Sequence, residues 1–419
     1  MTEKEKSYLR DLAKKYREVS ESDANQKKRE KWYQINDLGD ASQPVFMNHF
    51  WTTSINELYP PESFFCQDPT ARKFELYLRD KLFCSQELND DNVLEPVIYA
   101  EHVFDMQDYE GLEFETRRSE HDTSGTGVYE MIPVLHGEED IEKLRPPKFH
   151  YDKEVSRRKF EEAQEIFSPI LTVIKTPYAP AMKITDEYSW MRGMQNTYTD
   201  MYDEPEMMHA MLRKITDNIA QRFCLLEESG VWGMLDQSFP LGSAGLRFTR
   251  ELPDFRSVSD HFEYKTKLKD SWGFTCAEVC TCVSNAMTRE FSYEYDKELM
   301  QLFHFMNVGC CEVLDHKIDL VSKLPNVRKI GVAEWCDPEL AAEQIKGDFV
   351  YSYHAAGVPF VCDQWDRASA EKEIKSVLKA VGKHGCHTEI VLNIGGTLGK
   401  HPREKVIEWS KMVRNLIEG

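Results

Sequence analysis

Nine short apolar runs, most of them followed by a stretch long enough for an amphipathic helix, constrain this chain more than any other feature. They are residues 44–50, 95–104, 168–174, 231–237, 271–276, 305–311, 327–335, 349–355 and 389–396. Each is apolar throughout and bounded by turn residues, which is the pattern of a strand buried on both faces. Helical periodicity recurs between them at 205–230, 296–305, 337–347 and 369–385. Fully buried strands alternating with helices specify an α/β fold whose parallel sheet is covered on both faces. Eight or nine such units without a Pro/Gly linker favour a closed (β/α)8 TIM-type barrel over a doubly wound sheet. Residues 1–40 are polar with apolar positions at helical spacing, and read as a helical N-terminal extension to a barrel spanning 41–419. Residues 105–150 are rich in charge and glycine with little periodicity, and read as an irregular excursion over the barrel mouth.

The formal charge of −20 argues against a nucleic-acid partner, because phosphate binding requires a basic stripe. The basic clusters at 27–29 and 157–159 read as solvated helix faces. No apolar run approaches the ~20 residues needed to cross a bilayer. The N-terminus is charged from its third residue and has no signal-peptide core, so the chain is expected in the cytoplasm. Its 11 cysteines are an odd number in a chain too large to need disulfide staples. Their placement carries the information: Cys276, Cys280 and Cys282 share one segment, Cys310 and Cys311 are adjacent, and Cys336 and Cys362 end apolar runs.

Several familiar motifs are missing. The glycines of 124–130 lack a preceding strand and the third glycine of a dinucleotide fingerprint. The stretch 395–401 falls one residue short of a phosphate loop and has His401 where Ser or Thr would bind magnesium. There is no G-x-S-x-G elbow and no D-x-H-x-x-G signature for holding a corrinoid. Functional side chains of a barrel gather at the C-terminal ends of its strands. Reading those ends in order yields His49; Glu101 and His102; Asp236; Cys276 and Glu278; Cys310, Cys311 and Glu312; Cys336 and Asp337; and His354. Thiolates beside carboxylates are the donors of a zinc site assembled by the fold, since no C-x-x-C pair stands at structural-zinc spacing. Phe50, Trp51, Trp190, Trp272 and Trp335 are available to wall a flat substrate.

The segments GCCEVLDHKID and LPNVRKIGVAEWCD, with FTCAEVCTCVSNAMTREF at 274–291, resemble members of the uroporphyrinogen decarboxylase superfamily. The resemblance runs from about residue 165 to the C-terminus and is weak over 40–164. True decarboxylases carry an arginine-bearing P-V-W-x-M-R-Q-A-G-R-Y segment that holds substrate carboxylates. Here the equivalent stretch is QPVFMNHFW, without arginine. The resemblance therefore implies a corrinoid-dependent methyltransferase and not a decarboxylase. Such components move a methyl group from a small donor, such as an aryl methyl ether, to a cobalt(I) corrinoid. Lacking the corrinoid signature, this chain is expected to meet its cobalamin on a partner protein, and a homodimer is compatible with the resemblance.

The related methyltransferases bind zinc through a His-x-Cys pair and a later cysteine. Cys311 matches the cysteine of the pair, while Gly309 stands in place of the histidine and Gly395-Gly396 in place of the last cysteine. The expected ligands are Cys311, Cys310 and Glu278. Glu278, Glu312, His102 and His354 are the expected acid–base groups, and His49, Trp51, Asp236, Trp335 and His316 the expected substrate contacts. Zinc-dependent alkyl transfer to a thiol such as coenzyme M or homocysteine, and a non-catalytic small-molecule-binding barrel, stay open beside this reading.

Overall fold

In the computed structural model, residues 1–39, 43–118, 129–361 and 365–419 are described. Cys362 and residues 124–128 of the glycine-bearing stretch lie outside them. Eight strands form two parallel sheets: β1 (Val45–Phe50), β2 (Val97–Ala100), β3 (Thr172–Lys175), β4 (Trp272–Thr275), β5 (Phe305–Val308), β6 (Val327–Ala333), β7 (Val350–His354) and β8 (His387–Ile394). The larger sheet runs β1-β8-β7-β6-β5-β4, and β2 pairs with β3. All these ladders are parallel. The alternating apolar runs thus make a mixed α/β molecule with a curled six-stranded half-barrel, consistent with a TIM-like barrel. Among the described residues no ladder joins the two sheets, and a single bridge, Met182 to Thr275, extends the outer edge of β4.

Two expectations need correction. The run 231–237 is buried throughout yet forms no strand. Gly233 takes a positive φ of 53°, and a turn and a side chain capture backbone groups that a ladder would use. The Leu235 amide turns back to the Gly233 carbonyl at 2.8 Å, and the Arg247 guanidinium donates to the Asp236 carbonyl at 2.5 Å. Nor is the excursion irregular over its described residues. Phe104–Gln107 pairs antiparallel with Lys148–Tyr151, and Glu115–Arg118 with Tyr129–Ile132. These short strands are largely exposed, so no buried face imposed an apolar period that sequence reading detects.

Helix α1 (Glu3–Ser20) opens with a capping box between Thr2 and Glu5. It packs Leu9, Ala13 and Tyr16 against Phe74, Leu78, Phe160 and Ala163 of two outer helices. Helix α2 (Asp23–Asn36) drives Trp32 into a cluster with Val45, Met47, Val350 and Val391. Val45 and Val350 begin their strands, so Trp32 closes the N-terminal end of the sheet. The opposite, C-terminal end carries the thiols. No helix among the described residues is long and apolar enough to cross a membrane.

Candidate active site

The chain leaves β5 through Gly309, whose φ of 105° and lack of space permit only glycine. A Cβ there would lie 2.6 Å from the Leu314 side chain and 3.3 Å from the Gly331 backbone. The Gly309 amide donates to the Thr275 carbonyl at 2.9 Å, tying this exit to the end of β4. The resulting bend sets the sulfurs of Cys310 and Cys311 3.5 Å apart.

Two buried carboxylates brace the bend from behind. Glu312 accepts the amides of Ala277 at 3.1 Å and Cys310 at 2.7 Å, so it staples the β4 exit to the β5 exit. Burial pushes its carboxyl up to about 7. Asp186, from the helix Ile184–Arg192, accepts the amides of Glu278 at 3.2 Å and Val279 at 2.9 Å. The helix is held in turn by the excursion, because the amides of Val134 and Leu135 both donate to the Met191 carbonyl.

Glu278 itself is half-exposed. Its carboxylate lies 3.9 Å from the Cys276 sulfur and 3.7 Å from the Lys183 ammonium. Burial raises its pKa to about 7 despite the opposing lysine. Cys310 receives hydrogen bonds from the thiols of Cys276 and Cys311 and from the Ser243 hydroxyl at 2.8 Å, which hold it well below the ordinary thiol value. Cys311 is pushed up by donating to Cys310, and Cys276 likewise.

His354 lies beneath Cys310, with Nδ1 2.6 Å from its carbonyl oxygen. A carbonyl only accepts, so Nδ1 carries the hydrogen, and burial keeps the imidazole below its usual pKa. Its contact fixes the Cys310 backbone.

The donor atoms of Glu278, Cys310 and Cys311 fall within 4.8 Å of one another, as do those of Cys276, Glu278 and Glu312. Glu312 is already committed to two amides, which leaves the first set as the better metal site. Two thiolates and a carboxylate suit a borderline-soft ion such as zinc, and three protein ligands leave a fourth position for substrate. By donor chemistry and spacing the residues fit the metal.

Five residues expected from sequence thus converge with Glu278: Cys276, Cys310, Cys311, Glu312 and His354. The others stand elsewhere. His49 and Trp51 belong to the end of β1, four strands from β5 along the sheet. The Trp51 indole donates to the Asn393 side chain at 2.8 Å and lies over Gly395, where a Cβ would meet the ring at 2.6 Å. Burial lowers the His49 imidazole to about 4. His102 sits 3.4 Å from the Tyr151 hydroxyl, lowered by burial to about 3, so neither histidine is protonated at neutral pH. Asp236 is wholly buried and accepts from Tyr99 and Ser238. Trp335 and His316 are exposed, the latter 3.8 Å from Asp315.

Sequence reading missed Ser243, Lys183 and Asp186. Only Ser243 left a trace, in the small-residue stretch 242–245. A Cβ on Gly242 would strike Phe274 at 2.7 Å, and one on Gly245 would strike Trp32 at 2.4 Å.

No protein-family model matches the chain, and no curated protein matches it. Among solved structures, a methyltransferase from Methanosarcina mazei is similar at 10% identity, over 93% of this chain and 98% of its own, with a TM-score of 0.49. The chemistry of the site is read from its own side chains.

Proposed function

We propose that this protein is a methyltransferase that takes a methyl group from a methylated small molecule, an aryl methyl ether in type, and passes it to a cobalt(I) corrinoid carried by a partner protein. In this reading the two parallel sheets are arcs of one (β/α)8-type barrel, with the 231–237 segment filling the gap between β3 and β4. The observation that carries it is the convergence of Glu278, Cys310 and Cys311 at the C-terminal strand ends, where the motif resemblance also concentrates.

Demethylation of an ether must stabilise charge on the departing oxygen. Glu278, Cys310 and Cys311 would hold zinc, and bound zinc supplies Lewis acidity at that oxygen. Glu312 and Asp186 hold the two strand-end loops in register through backbone amides, so the donors are preorganised. Lys183 keeps a positive charge beside Glu278 and favours an anionic leaving group.

Support for a protein partner comes from the exposed apolar side chains. Trp51, Tyr178 and Trp335 are exposed in the segments that follow the C-terminal ends of β1, β3 and β6. Exposed aromatic groups gathered on one end of a molecule mark an interaction surface. A docked corrinoid protein would cover it and bring the cobalt to the donor.

The first experiment is elemental analysis for zinc on the parent protein, Cys311→Ala and Glu278→Ala. About one zinc per chain, lost in both variants, is expected, followed by methylcorrinoid formation when methyl donors are screened with cobalt(I) corrinoid. A folded protein without zinc would sink the metal-assisted reading and leave Glu278, with its pKa near 7, as the acid to test.

A further inference from the structure

Adjacent residues of an extended chain point to opposite faces. Cys310 and Cys311 do not, because the positive φ at Gly309 and the return of the Glu312 carboxylate to the Cys310 amide curl the backbone between them. Their sulfurs are 3.5 Å apart, and a disulfide of about 2 Å requires an approach of about 1.5 Å. Cys311 is exposed and Cys310 half-buried, so one sulfur meets solvent and the other waits behind it. The Ser243 hydroxyl donates to the Cys310 sulfur at 2.8 Å and holds it in place. Cys276 is buried behind the pair, against the carboxylates of Asp186 and Glu278.

We propose that Cys310 and Cys311 are a reversible redox pair that closes into a vicinal disulfide on reaction with a low-molecular-weight disulfide such as oxidised glutathione. Cys311, the sulfur open to solvent, loses its proton as it reacts, and its sulfur attacks one sulfur of the small disulfide. That S–S bond breaks, one glutathione leaves as a thiol carrying the proton lost by Cys311, and a mixed disulfide remains on Cys311. The Cys310 thiolate then attacks the Cys311 sulfur and expels the second glutathione, which takes the remaining proton. Two protein thiols are oxidised by two electrons, and one disulfide is reduced to two thiols. The eight-membered ring so formed is strained, and strained disulfides are readily reduced, so the bond reopens when reduced glutathione predominates. Closure removes two of the three donors of the metal site. That consequence rests on the proposed function, whereas the disulfide stands on the geometry alone.

The test uses the full chain, stripped of metal with a chelator and incubated with oxidised glutathione. Free thiols are then alkylated and the peptide carrying both cysteines is examined by mass spectrometry. The expected result is a peptide that has lost two hydrogens, bears no glutathione, and alkylates twice only after reduction. Cys276→Ser should behave in the same way, and Cys310→Ser should retain one glutathione on Cys311. Two alkylations before reduction, or a bond from either residue to Cys276, would overturn the proposal. Repeating the oxidation on zinc-loaded protein separates the two readings. Zinc released as the disulfide forms agrees with both, while disulfide formation with zinc retained overturns the metal assignment and leaves the redox pair intact.

Discussion

The curled sheet holds a charged cluster near each end, and the two are built on opposite terms. At the N-terminal end the Lys329 ammonium donates to Glu389 at 2.6 Å and to the Leu246 carbonyl at 2.9 Å. The other Glu389 oxygen accepts from Ser352 at 2.6 Å and from the Gly245 amide at 2.9 Å. Both side chains are inaccessible, at 1% and 0% exposure, and Trp32 covers the lysine at 5.5 Å. Every oxygen of that carboxylate is bonded and no route leads to it. At the C-terminal end, Cys311 is exposed, Glu278 is half-exposed, and three donors face one another at distances a metal ion would span. A saturated, sealed polar cluster contributes to the fold. An open cluster of soft and hard donors costs stability that only a ligand returns, which marks it as the functional one.

The largest expected effect breaks the sealed cluster. Lys329→Met strands a buried carboxylate and should cost about 3–5 kcal/mol in urea unfolding, while Lys329→Met combined with Glu389→Leu should recover most of it. A mild single variant would remove the distinction between the two ends. Next comes a support of the open end. Asp296 receives the Ser292 hydroxyl at 2.8 Å and faces Thr275, whose single hydroxyl proton is also sought by the Met182 carbonyl, 2.6 Å from the Thr275 oxygen. Burial raises Asp296 to about 7, far above its ordinary 3.8. The folded state therefore binds the proton more tightly than the unfolded state. Its stability contribution is complete below pH 3.8 and is lost as pH rises through about 7. Asp296→Asn should exceed the parent by on the order of 2–4 kcal/mol at pH 8 and match it near pH 4. A gain independent of pH would contradict the assignment.

Gly309→Ala tests the turn beneath the thiols. With φ at 105° and Leu314 in the way, it should lose about 1–3 kcal/mol in thermal unfolding. An unchanged melting temperature would place the strain elsewhere. The smallest change is Ser243→Ala, which deletes one hydrogen bond to the Cys310 sulfur. It should leave unfolding almost unaltered and weaken zinc, measured by chelator competition, by about 10–100-fold. Equal zinc affinity would make Ser243 a bystander and narrow the open cluster to its three donors.

What the sequence alone determined is what neighbours in the chain decide together. Buried strands and returning helices are local patterns, so the parallel α/β architecture was legible, as were particular helix ends. Asp337 caps the helix Pro338–Ile345, and Gly230 and Gly385 end the helices Pro205–Ser229 and Arg367–His384 with positive φ. Cys310, Cys311 and Glu278 were legible for the same reason, since a residue at a strand end is already at the mouth. The tertiary structure decided whatever depends on groups far apart in the chain. Lys329 meets Glu389 across 60 positions and Ser243 meets Cys310 across 67, and no periodicity records such pairings. It also decided between competing hydrogen bonds, so that the apolar run 231–237 became turns. At Gly309 it demanded a backbone conformation and an absence of volume that only the packed neighbours, Leu314 and Gly331, impose.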